Sequence, residues 1–493
     1  METMKEKRRW PIALIIIAAV VIVSAVIILS YRDAPGRIPI TAVSSGSGDT
    51  LIAWKDSSGI YAQRVNASGQ PLWEEDGVAI ARTPPEKSYQ WVSDRTGGAI
   101  FTWYDRPNNP LSYEPRTFYA QHVSESGALL WGDGVVIGSG VNAPQVIPDG
   151  SGGAIFTWND YILFRKALHQ DILTLNKVDE SGSLLWGSEG IIVAASTPYH
   201  ELTEEDIAAG IKGTWTRSWP TYSGQFAAVY DDAGGVIVVW EDEVTTRSEA
   251  VYAQRYNERG EAVWPERIKV ADSGLASAES DGASGVIVKT AGDDTYSSGM
   301  GAVEVPQMLH LSADGEILSS RAYDVSAWYV SDGSGGFFKI RTERDPPSGP
   351  PWEGRTLLYV QREDANGRGL WPEVRVVNPG ENEQITELEP VADGTGGVII
   401  AWRLSKDQAP LGGIMAQRID SNGELRWGEE GILVFGNSRI RFQGIADVIG
   451  DGSGGATVIA AVGTGALSGD MVYAQKLNAN GNRLWDEGIM VNR

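Results

Sequence analysis

The chain has 493 residues, 42% hydrophobic and 21% charged, a composition that supports a large core and excludes a disordered chain. Its net charge is -23, and the first 30 residues hold four basic and two acidic side chains, a net of +2, so the remainder sums to -25. Such a surface repels phosphate polymers and excludes nucleic acid as a partner, while the absence of cysteine excludes disulfides, thiolate metal sites and a cysteine nucleophile.

Residues 1–10 carry Lys5, Lys7, Arg8 and Arg9, and an uncharged apolar run from Ile12 to Leu29 follows. As a helix this run reaches about 27 Å, enough for one bilayer crossing. The basic cluster on its N-terminal side places residues 1–10 in the cytoplasm and everything after the run outside, at the cell membrane. A cleaved signal peptide is the alternative, but its apolar core is usually about 7–15 residues and no small-residue cleavage site is evident, so 11–30 reads as a retained transmembrane signal anchor. Residues 31–37, YRDAPGR, form a short tether.

From residue 38 to the end, two phrases alternate. The first is a Gly-rich turn followed by an apolar run, as in DRTGGAIFTW (94–103) and DGSGGAIFTW (149–158). An Asp opens it in seven of eight units (Asp94, Asp149, Asp231, Asp281, Asp332, Asp393, Asp451), with Ser45 in the first. Glycine tolerates the positive φ of a tight turn, and the Asp side chain accepts from the turn's amides. The second phrase is VYAQRYNERGEAVW (251–264) and its relatives, read as strand, Gly turn, strand and closing Trp. With a short strand before each Asp, every unit supplies four antiparallel strands.

The closing Trp is present as Trp73, Trp131, Trp186, Trp264, Trp371, Trp427 and Trp485, with Ser319 in the fifth unit. Copies lie 52 to 58 residues apart except across a gap of 78 between Trp186 and Trp264, where an insertion at about 194–227 is expected. Four strands per unit at this period argue for an all-β, eight-bladed β-propeller of four-stranded antiparallel blades over 38–493, preceded by one N-terminal transmembrane helix.

The phrase YAQ(R/K)xNxxGxxxW resembles the repeat of quinoprotein-like eight-bladed propellers, in which the Gly turn and closing Trp lock blades together. The dehydrogenases of that group carry a vicinal disulfide, which this cysteine-free chain lacks. The resemblance therefore implies the non-enzymatic, secreted bacterial type of repeat, a scaffold that binds other molecules, and no quinone cofactor.

One aligned position holds a basic or imidazole group in all eight units: Arg64, His122, Lys177, Arg255, His310, Arg362, Arg418 and Lys476. In a sheet covered on both faces such a group needs a partner, so it is expected to pair with the turn Asp or a neighbouring blade's carbonyls. The preceding Gln is expected to bond across blades. The rival reading is a cationic ring lining the channel to hold an anion.

Both tight turns fall on one face of the ring, so the long variable connections share the other, where binding sites are expected. On that face the insertion offers Trp215, Arg217 and Trp219, an aromatic surface for sugar or protein whose plainer reading is an anchor to the ring. A helix is expected near Thr203, whose side chain precedes Glu204, Glu205 and Asp206. Trp352 sits in a proline-stiffened loop suited to a protein contact. Asp56, Asp105, Asp160 and Asp242 end successive Trp-x-Asp strands; they are read either as Asx turns or as an acidic arc able to hold Ca²⁺. His169 and His200, with Asp171 or Glu201, are the remaining candidates for a metal or acid/base pair. The expectation is a module without a catalytic motif that binds a protein or glycan at the cell surface; the alternatives are a carbohydrate-active hydrolase or lyase using Asp105, Asp160 or Asp242, and a structural envelope component.

Overall fold

The computed structural model describes residues 41–44, 49–55, 59–66, 68–74, 77–82, 89–104, 116–140, 144–165, 168–196, 200–201, 215–216, 221–245, 248–291, 305–345, 354–380, 383–406, 409–436, 442–462, 471–485 and 488–490. The run Ile12–Leu29 lies outside them, so the expected transmembrane helix is not part of the described fold. Among the described residues no helix is long and apolar enough to cross a membrane.

These residues form eight four-stranded antiparallel sheets, each made from one consecutive stretch of chain, plus one two-stranded hairpin. Blade 2 is representative: Tyr89–Ser93, Ala99–Tyr104, Arg116–Val123 and Val135–Gly140 pair in that order. The first strands of neighbouring blades pack side by side and are therefore innermost. Thr41–Ser44 of blade 1 lies against Phe442–Gly450 of blade 8, which closes the ring. Because neither terminal blade borrows a strand, closure rests on packing: Ile449, Ile459, Ala474 and Trp485 of blade 8 share one buried cluster with Leu51, Ile52 and Ala62 of blade 1.

Both turns are built alike. Asp94 Oδ1 accepts from the amides of Thr96 (2.7 Å) and Gly98 (2.9 Å), and Asn257 Oδ1 accepts from those of Arg259 (2.9 Å) and Glu261 (3.0 Å). Gly260 has φ 78, a backbone region in which a side chain would be strained, and it lies against the Trp186 ring of the preceding blade. Gly260 thus has two reasons to be glycine.

The clasp is the contact of closing Trp with the next blade's turn. Trp73, Trp131, Trp186, Trp264 and Trp427 each donate an indole N–H to a carbonyl there, at Glu125, Glu180, Glu258, Ala313 and Ala479. Burying an indole contributes nominally about 4–6 kcal/mol as an upper bound. Trp371 packs on Gly423 of blade 7, but its buried indole nitrogen has no hydrogen-bond partner. At the fifth unit Ser319 takes over the bond, its hydroxyl donating to the Ala365 carbonyl at 3.0 Å. Ser319→Ala is expected to cost about 1 kcal/mol in urea unfolding, and a cost near zero would show that the bond adds nothing.

That seam, between blades 5 and 6, has the smallest apolar cluster among the described residues: Ile287, Met308 and Phe337, with Tyr323 and Tyr329 beside them. Arg321 occupies the space the missing Trp leaves, its side chain lying against Gly367. The Arg321 charge is met by Glu363, Nη2 to Oε2 3.0 Å, at a position that is Val65, Val123, Val178, Tyr256, Leu311, Ile419 and Leu477 in the other blades.

Between blades 3 and 4, Ala194 and Ala195 finish the outer strand Ile191–Ala195 and Thr221–Tyr230 opens blade 4, leaving 196–220 as the connection. Within it His200–Glu201 pairs antiparallel with Trp215–Thr216, Glu201 opposite Trp215, forming the base of a hairpin. The helix expected near Thr203 lies outside the described residues.

Candidate functional site

The aligned basic residues are seam elements. Six of the eight pair with the turn Asp of their own blade: His122 with Asp94 (2.8 Å), Lys177 with Asp149 (3.1 Å), Arg255 with Asp231 (2.9 Å), His310 with Asp281 (2.8 Å), Arg362 with Asp332 (2.7 Å) and Arg418 with Asp393 (2.7 Å). In blade 1, where Ser45 replaces the turn Asp, Asp49 supplies the missing carboxylate to Arg64 at 2.7 Å. Arg64, Lys177, Arg255 and Arg418 also donate to turn carbonyls of the next blade. This arrangement leaves no cationic ring for an anion and confirms the structural reading of the position.

The electrostatics agree. Burial raises Asp94 and Asp281, but the His122 and His310 bonds together with turn amides outweigh it and hold both carboxyls below their ordinary value. For Asp332 and Asp393 the turn amides and Arg362 or Arg418 outweigh burial in the same way. The lysine of blade 8, Lys476, is lowered by burial against the opposing pull of Asp451 and Asp49.

The glutamines do not bond across blades as the sequence suggests. Gln63 Nε2 donates to the Glu74 carbonyl (2.7 Å) and its Oε1 accepts from the amides of Arg64 (2.9 Å) and Trp73 (3.0 Å), all within blade 1. Gln121 and Gln417 do the same in blades 2 and 7. Each one ties the strand before its turn to the backbone of the closing Trp, and so sets the height of the clasp.

The remaining candidates from the sequence belong to the opposite face. Arg217, Trp219, Trp352, Asp56 and Asp105 lie outside the described residues. His200 and Trp215 lie on the two paired strands of the hairpin, His200 in register with Thr216 and Trp215 with Glu201, and His169 is in register with Leu163 in blade 3. Asp160 is half-buried opposite Ile172 in the same sheet. Asp242 is buried, accepting from Arg267 Nη1 (2.7 Å) and the Trp240 indole (3.1 Å), so a cation there would have to displace Arg267. Among the described residues no group of three or more His, Asp or Glu is arranged to hold a metal.

Two arrangements escaped the sequence. At the loop-face end of the seam between blades 3 and 4 the buried Tyr222 hydroxyl donates to Asn159 Oδ1, and Asn159 Nδ2 donates to the Gly224 carbonyl at 2.6 Å. Burial raises the Tyr222 hydroxyl, and the negative charges of Asp171, Asp242 and Glu241 push in the same direction. The second lies on the innermost strands, four positions before the turn Asp, where blades 7 and 8 carry Glu389 and Asp447. Asp447 is raised to about 7, chiefly by burial and further by the Glu389 charge; Glu389, though reached by water, is itself raised by burial and by Glu387. Glu387 bridges the same seam, paired with Arg403 (2.8 Å) and accepting the Ile445 amide (2.7 Å). Only a hindsight alignment of inner strands, which share no motif, would have found this pair.

No protein-family model and no curated protein matches the chain. Among solved structures it is similar to an ulvan lyase of a polysaccharide lyase family (12% identity, 76% of this chain and 91% of that one, TM-score 0.40). It is also similar to the β-propeller domain of the Trilobed protease from Pyrococcus furiosus (10% identity, 79% and 93%, TM-score 0.37) and to prolyl oligopeptidase B from Galerina marginata (10% identity, 90% and 56%, TM-score 0.40). The likeness concerns the propeller architecture alone.

Proposed function

We propose that the protein is a membrane-anchored, extracytoplasmic propeller whose loop face binds a protein or envelope glycan. The observation that carries this reading is the division of labour between the two faces. The repeated Asp, basic, Gln and Trp residues are taken up by turn, strand and seam contacts toward the turn face, while insertions and length differences gather on the other, including the 196–220 connection with its hairpin. A rigid ring that holds variable loops is the arrangement of a recognition scaffold. The carbohydrate-active alternative has less to stand on, because Asp242, one of its three carboxylates, is held by Arg267 and Trp240.

Affinity capture from envelope extracts tests the proposal with the full chain and a variant in which 202–214 is replaced by Asn-Gly, a turn that preserves the hairpin pairing. Loss of the captured partner by the variant, with unchanged thermal unfolding, is the expected result. Equal capture by both proteins would remove the insertion as the binding element.

A further inference from the structure

We infer that the loop face is the face turned toward the bilayer, close enough that its partner is a protein anchored in the same membrane. The inference rests on the anchored reading proposed above and adds an orientation to it. Strand direction is the first premise. Thr41–Ser44 is innermost in blade 1, and Ser44 pairs with Thr50 across the turn at the turn face. Thr41 is therefore the loop-face end of its strand, so the chain enters the ring from the loop face. The last described strand, Ile489–Met490, leaves toward that face as well, being the fourth strand of its blade.

Reach is the second premise. Only residues 31–40 separate the anchor at 11–30 from Thr41, and even fully extended ten residues span at most about 36 Å. To present the turn face instead, this stretch would have to climb the outside of the ring, whose strands, such as Ser248–Tyr256, already span about 30 Å. The length left over is too short for that route and for a stand-off. Charge is the third premise: the -25 carried beyond the first 30 residues gives the ring no electrostatic attraction to a lipid surface, so nothing holds it flat on the headgroups. What remains is a gap open to a protein rising from the same bilayer, and the acidic ring favours a basic surface on it.

The test exploits the absence of cysteine, which makes any single introduced thiol a unique label. Arg259 is exposed on a turn of blade 4 and Asp272 is exposed just past the outer strand Ile268–Ala271 of the same blade. Full-length Arg259→Cys and Asp272→Cys proteins, each carrying a donor dye, are reconstituted in vesicles containing an acceptor-labelled lipid. Because the two sites are about 30 Å apart along the ring axis, transfer from the Asp272 site is expected to be on the order of twofold more efficient. A long flexible Gly/Ser insertion after Arg37 is expected to erase the difference. Equal or reversed transfer in protein that remains with the vesicles after alkaline washing overturns the orientation and leaves the anchor standing. Release of the protein into the wash overturns both. Cross-linking from the Asp272 site to polysaccharide alone, with no membrane protein, overturns the partner assignment.

Discussion

Arg321→Met is expected to destabilise the ring by about 3–5 kcal/mol, and adding Glu363→Leu is expected to restore most or all of that loss. Arg321 stands where the other blades place a tryptophan, and it is a poor substitute in energetic terms. Its ion pair with Glu363 is buried, with side-chain exposures of 15% and 7%, and neither Arg321 Nε nor Glu363 Oε2 has a hydrogen-bond partner. Burial holds the Glu363 carboxyl above its ordinary value even though Arg321 and Lys339 pull it down. Removing the guanidinium therefore strands a carboxylate in a poorly solvated seam, whereas removing both charges returns the site to the apolar pairing used by the other seven blades.

The sign with pH follows from the same shift. A carboxyl raised in the folded state stabilises below its unfolded value and loses that contribution as pH rises, so Arg321→Met should be least harmful near pH 4 and most harmful near pH 8. Urea midpoints of the two single variants and the double variant measure the coupling directly. A mild single-variant loss at pH 8, or a double variant as damaged as Arg321→Met, would show that the seam is held by something other than this pair.

This seam also shows where sequence reasoning reached and where it stopped. The eightfold phrase specified blade number, strand order and the clasp, because turn chemistry and the Gly-to-Trp spacing are local and repeat. The missing Trp at Ser319 was legible for the same reason. Its replacement was not, since Arg321 and Glu363 belong to different blades and only the ring brings them together. The glutamines were misread because a polar group before a turn has partners on both sides, and the choice depends on the depth at which the closing Trp backbone lies. Pairing of the basic residues was legible, as a charge recurring on every covered sheet permits few solutions. On the loop face little was legible, since beyond the Trp-x-Asp strand ends of the first four units nothing there repeats.

The largest effect of pH on the wild-type ring is expected at Asp447. Asp447→Asn should stabilise the protein at pH 8 by up to about 4 kcal/mol and be nearly neutral at pH 4, the figure being a shift of roughly three units at 1.36 kcal/mol each. The premise is a carboxyl raised to about 7 by burial and by Glu389, with the Val448 amide (2.8 Å) opposing only in part. Among the described residues no cation is paired with it, and Arg403 is engaged by Glu387. The folded state thus holds a proton that the unfolded state has released, and stability falls as pH climbs from about 4 through 7. The turn carboxylates Asp94, Asp281, Asp332 and Asp393 act in the opposite sense, but they are lowered and lose their contribution only as pH drops through the acid range. The window between pH 5 and 8 therefore isolates Asp447 from them. Asparagine keeps an oxygen for the Val448 amide and removes the charge, so it mimics the protonated acid. Unfolding free energies of wild type and variant across that window should converge at the acid end and separate at the basic end; parallel curves would mean that Asp447 is ionised in the folded ring throughout.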